Sequence, residues 1–249
     1  MKHSMPRTIG LSKHLQRGLT MIELLIALTV ALFLLGGLLK IVQSTRRTFG
    51  DQNELAQLQD NQRLAMTFMT DVIESGGYYP NPKLNTAVAV LPVVGTTFAA
   101  GQAIYGTTSA GGDTVTSRYG AGQNDNVFNC LGQKNTAVAN YDTFVNTFSV
   151  DTVNKQLICT FSSSVTPNTP VVLVNGVRSL AILYGVKHNV ANTGSCTDTY
   201  LNAGQMQPAD WSAVCSVRVT LTFDNPLIPA QPVSITRVIG VMNTAGVNT

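Results

Sequence analysis

One stretch constrains everything else in this chain. Residues 19–42 form an apolar run of 24 residues, broken early by Glu23 and again only near its end by Lys40. A helix of that length crosses a bilayer core. An acid near the centre of such a helix costs roughly 2.5–3.5 kcal/mol on insertion scales and less toward the end, so it calls for a partner or for solvation. Two readings of Glu23 stay open at this point: a solvated carboxylate at headgroup depth, or a functional acid awaiting a cation.

The residues before the run separate an anchor from a secretory signal. Lys2, Arg7, Lys13 and Arg17 precede Gly18 with no acid among them, and the apolar run follows Gly18 at once. A secretory signal carries its small-residue cleavage site after the apolar region. Nothing resembling Ala-x-Ala closes the run before Lys40. A cut after Gly18 removes only the basic leader, so the apolar helix stays on the mature protein and begins with a free amine on Leu19.

Gly18-Leu19-Thr20-Met21-Ile22-Glu23 resembles the cleavage signal of type IV prepilins. The resemblance implies a prepilin peptidase that cuts between Gly18 and Leu19 and N-methylates Leu19. It also implies that Glu23 pairs with the amine of a neighbouring subunit during filament assembly, which supplies the missing cation. N-methylation keeps the positive charge of the amine.

Composition narrows the rest. The net charge is +3, but the four leader cations leave the remainder at about −1, so no nucleic-acid partner follows from the basic balance. Charged residues make up 12% of the chain, against about 25% in typical soluble domains. Cys130, Cys159, Cys196 and Cys215 all follow the apolar run. Four cysteines allow three pairings. The local pairs, Cys130 with Cys159 and Cys196 with Cys215, are preferred because each joins neighbours in sequence. Such bonds persist in an oxidising compartment such as the periplasm, and no metal-ligand spacing supports zinc instead. Orientation by charge is ambiguous, since Lys40, Arg46 and Arg47 follow the span as the leader cations precede it. The resemblance places the leader in the cytoplasm and the body in the periplasm.

Residues 43–75 contain no Pro and only Gly50 as a weak point, so the helix is expected to continue from 19 to 75, about 85 Å. Leu64, Phe68 and Val72, with Met69 and Ile73, are read as its apolar stripe. Gly76-Gly77 and Pro80 end it. Gly36-Gly37 reads equally as a hinge or as a close-packing site. Strands are expected at 87–94, 113–119, 143–150, 156–161, 170–174, 177–186, 214–223 and 233–242, favouring antiparallel sheet. Asn175-Gly176 is read as a hairpin turn. Residues 106–112, 120–129 and 188–210 are read as loops. The resulting segments are a leader (1–18), a transmembrane half-helix (19–42), a periplasmic half-helix (43–76) and a β-rich domain (77–249), giving an α+β, pilin-like fold.

Enzyme chemistry finds little support. His188 is the sole histidine after the leader and is read as a solvated loop residue. Gln123-Asn124-Asp125-Asn126 lacks the Gly and closing Glu of a calcium loop, so an Asx turn is expected there. Trp211 is read as a packing residue. No cofactor or metal is expected.

Asp113-Thr114-Val115-Thr116-Ser117-Arg118-Tyr119 resembles an element of PilW-type minor pilins, with looser matches at 177–186 and 217–225. Asp113 and Arg118 are read as an exposed cross-strand pair. The resemblance implies a minor pilin of the inner membrane needed for pilus assembly and twitching motility. The partners it implies are prepilin peptidase, other minor pilins, the major pilin, the inner-membrane assembly platform and membrane lipid, with a tip adhesin as a further candidate. The alternative is a J-type minor pseudopilin of a type II secretion system.

Overall fold

The computed structural model describes residues 18, 20–136, 138–189 and 196–241. The leader cations Lys2, Arg7, Lys13 and Arg17, the methylation candidate Leu19, the middle of the 188–210 loop and Met242 of the last expected strand lie outside the described residues. The chain divides into two compact units, Met1–Gln52 and Asn53–Thr249.

The described part of the first unit is dominated by one helix. α1 (Met21–Glu74) begins there, and every described residue of this unit is exposed. Leu, Ala and Ile dominate the early turns, and α1 is long and apolar enough to cross a membrane. Gly36 and Gly37 leave it unbroken, and a Cβ at either would meet nothing within 4 Å.

In the second unit, the later turns of α1 bury Leu58, Ala65, Met66, Met69, Val72 and Ile73 in the same core as the sheets. The expected stripe is therefore corrected. Leu64 is 44% exposed and Phe68 half-buried. A strict i+4 series drifts about 40° per step round a helix of 3.6 residues per turn, so 64, 68 and 72 cross from the solvent edge into the core.

Two antiparallel sheets share this core. The first is a meander of β1 (Ile104–Thr107), β2 (Thr114–Gly122), β3 (Tyr141–Asp151), β4 (Gln156–Ser162) and β5 (Thr169–Asn175). The second has the order β7 (Thr199–Leu201), β6 (Val177–Val186), β8 (Ser216–Phe223), β9 (Val233–Gly240). The chain is thus α+β. β8 shows why alternation encodes a half-buried strand. Val217, Val219, Leu221 and Phe223 are fully buried, while Thr220 and Thr222 bond across the open face to Thr236 and Ser234, each at 2.9 Å.

Three expectations about the elements are overturned. Asn175-Gly176 is not a hairpin: β5 pairs with β4, whereas β6 pairs with β7 and β8. Gly176, at φ 81°, turns the chain from one sheet to the other, and its carbonyl accepts from the Asp224 N–H at 2.9 Å. Residues 87–94 are not a strand. The Thr86 hydroxyl accepts from the Ala89 N–H and starts α2 (Ala87–Val90), which Pro92 prevents from running on. Residues 120–122, expected in a loop, extend β2. Gly120 is needed there because a Cβ would collide with Val90 and crowd Pro80. The short strands β1 and β7 were not foreseen.

Candidate functional site

The N-terminal determinant is built by three residues. Gly18 is exposed, with nothing within 4 Å of where a Cβ would stand. Thr20 starts the helix: its carbonyl accepts from the N–H groups of Glu23 (3.1 Å) and Leu24 (3.2 Å). Glu23 lies in the first turn of α1, exposed, with the Thr20 hydroxyl donating to its Oε2 at 3.4 Å. A carboxylate there faces the unsatisfied N–H groups and positive end of the helix dipole. Thr20-Met21-Ile22-Glu23 has the Thr-x-x-Glu spacing of a helix start, the sequence signal that marks this turn. Beyond Glu23, no charged residue occurs until Lys40. The carboxylate is therefore the lone ionic group of the apolar run until its end.

In the folded unit, the Asp113 to Tyr119 element works as a hub rather than as an exposed ion pair. Arg118 is fully buried. Its Nε and Nη2 donate to the Gln102 carbonyl at 3.0 and 2.7 Å, Nη1 to Pro92 O at 2.8 Å, and Nη2 also to Ala99 O at 3.1 Å. The Phe98 ring centroid lies 4.2 Å from the guanidinium carbon. Among the described residues it makes no ion pair, and burial lowers its pKa to about 10. The cross-strand reading fails because the covering segment at 92–102 offers a ring of carbonyls, which suits a planar five-donor cation.

The flanking residues of the element reach in other directions. Asp113 Oδ2 accepts from the Ile182 N–H at 2.8 Å, tying the first sheet to the second. Tyr184 of β6 returns the link, its hydroxyl donating to Thr114 O at 3.0 Å. The Tyr119 hydroxyl donates to Phe128 O at 2.6 Å and accepts from Asn146 Nδ2 at 3.1 Å; burial pushes this phenol well above the usual tyrosine range. Asn146 Oδ1 in turn accepts from the Cys130 N–H at 2.9 Å.

Cys130 is bonded to Cys159, with Cα atoms 6.4 Å apart, and Cys196 to Cys215, at 6.0 Å. The first bond pins the loop before β3 to β4, beside the Tyr119–Asn146 network. The second holds the segment leading into β7 to the residue just before β8. Trp211 packs in a buried aromatic row, with ring centroids 4.9 Å from Tyr105 and 4.8 Å from Tyr184. His188 is exposed and lies 3.0 Å from Asp210 Oδ1. The Asp125 carboxylate accepts from the Val127 N–H two residues on, as an Asx turn does, and also from the Gly122 N–H. No group of three or more potential metal ligands occurs among the described residues.

Two family models match this chain, at its two ends. The prokaryotic N-terminal methylation motif matches residues 13–39, from ahead of Gly18 into the early turns of α1. The Type IV Pilus-assembly protein W family matches residues 144–234, from β3 into β9. The Asp113 to Tyr119 element lies upstream of that match. No curated protein matches. Among solved structures, a type IV-like pilin from Thermus thermophilus is similar at 12% identity and TM-score 0.47, over 76% of this chain and 97% of that one. The chain thus carries a prepilin-type methylation motif near its start and a body segment similar to the pilus-assembly protein W family. Pilin-family proteins are structural rather than enzymatic.

Proposed function

We propose that the chain is a minor pilin that waits in the inner membrane with its β-rich domain in the periplasm, is cut after Gly18 and N-methylated on Leu19, and then joins other minor pilins in a complex that initiates or caps the pilus. The observation that carries this reading is the pairing, in one chain, of a methylation motif at 13–39 with an assembly-protein segment at 144–234.

The chemistry of the first turn supports it. Glu23 is exposed at the start of a helix that carries no other charge before Lys40, so inside an apolar bundle of such helices it needs a cation. The amine created on Leu19 of a neighbouring subunit is the cation that processing itself supplies. Peptidase and other pilins are thus the first partners, followed by the inner-membrane platform that drives assembly.

A clean deletion in the source organism, complemented with this chain, tests the reading. Loss of surface pili and twitching with normal exoprotein secretion is expected. Loss of secretion with normal piliation would assign the protein to a type II secretion pseudopilus instead.

A further inference from the structure

We propose that one face of α1, formed by Lys40, Gln43, Ser44 and Arg47, binds the phosphate of an anionic membrane lipid where the span ends. This rests on the reading of α1 as a membrane span. Residues at i, i+3, i+4 and i+7 share one helix face, and these four together line a shallow niche of about 310 Å³. Two cations, an amide and a hydroxyl supply the donors a phosphodiester accepts. All four side chains are exposed, and neither cation makes an ion pair among the described residues. Asp51, one turn past Arg47 on the same face, leaves Arg47 unpaired.

Depth selects a lipid as the source of the phosphate. From Glu23 to Lys40 is about 26 Å along the helix and to Arg47 about 36 Å, at 1.5 Å per residue. The hydrocarbon core is about 30 Å thick. With Glu23 at one interface, the niche therefore straddles the opposite boundary, with the Lys40 backbone about 4 Å inside the hydrocarbon edge and Arg47 about 6 Å beyond it. The Lys40 stem is long enough to carry its ammonium out to the headgroups, so before assembly both charged ends reach polar layers and only uncharged turns between them cross hydrocarbon. Three cations on the body side of the span also run against the usual bias toward cytoplasmic Lys and Arg, and lipid phosphate gives two of them a ligand.

The test uses the full chain in phosphatidylcholine nanodiscs doped with spin-labelled phosphatidylglycerol or, separately, spin-labelled phosphatidylcholine. The immobilised fraction of each label is read by electron paramagnetic resonance. A preference for phosphatidylglycerol of about fivefold per engaged cation is expected. K40Q/R47Q abolishes it and R47Q alone reduces it, whereas R46Q, the same charge change about 100° round the helix, keeps most of it. Equal loss in R46Q and R47Q would mean diffuse attraction and overturn the site. Competition by inorganic phosphate would mean a free-anion site and overturn the lipid assignment. E23A, which probes assembly, is expected to leave the lipid preference unchanged, so a failure of the assembly reading is distinguishable from a failure here.

Discussion

Arg118 shows how much one residue can organise. Its guanidinium is removed from water without a counter-charge among the described residues, and what compensates is a set of backbone carbonyls at Pro92, Ala99 and Gln102 in the covering segment. Bonds to a charged donor contribute about 1.5–3 kcal/mol each, and orphaning their acceptors costs more than removing both partners. Arg118→Met is therefore expected to destabilise the folded unit by at least about 3 kcal/mol. Arg118→Lys recovers only part of that, because an ammonium cannot reach three separated carbonyls with a planar fork. Urea unfolding of the full chain in detergent, followed through the fluorescence of buried Trp211, reads both variants. A midpoint unchanged in Arg118→Met would mean that the segment is held by other contacts.

At the scale of elements, the disulfide between Cys130 and Cys159 joins a loop of the first sheet to its fourth strand across a sequence separation of 29. Closing such a loop contributes about 3.6 kcal/mol in the chain-entropy model, so C130S/C159S is expected to lower the urea midpoint accordingly. An unchanged midpoint would place the stability of that loop in the Tyr119–Asn146 network. Much of this level was legible in the sequence. Period-two alternation located β3, β4, β6 and β8 to within about two residues, and the absence of breakers gave α1 nearly its full length. What stayed hidden was tertiary. Asn175-Gly176 carries the composition of a hairpin turn, yet which strands pair is decided by the core on either side, and here Gly176 hands the chain from one sheet to the other. Residues 87–94 have the aliphatic content of a strand, but Thr86 and Pro92 bracket a single helical turn. Arg118 looked exposed because alternation predicts a solvent face for β2, whereas this strand is covered on both sides. The methylation motif at 13–39 was legible because it lies within one short stretch of sequence. The hub at Arg118 joins segments far apart in sequence and was not.

For the whole molecule, one chain joins a helix long and apolar enough to cross a membrane to a two-sheet body carrying two disulfides. In the proposed function that helix is the anchor, and the Glu23 carboxylate supplies the ionic contact for assembly. Glu23→Ala is expected to be processed normally, since the cut lies at Gly18, and to enter pili poorly. Immunoblots of sheared pili against whole-cell levels check this, and incorporation equal to the native chain would remove Glu23 from assembly.

The most direct measurement is the intact mass of the protein purified from its own membranes. A mature chain that begins at Leu19 and carries one added methyl group is predicted, with the leader retained only when prepilin peptidase is deleted. A chain that still begins at Met1, or one cut beyond the apolar run, would contradict the prepilin reading.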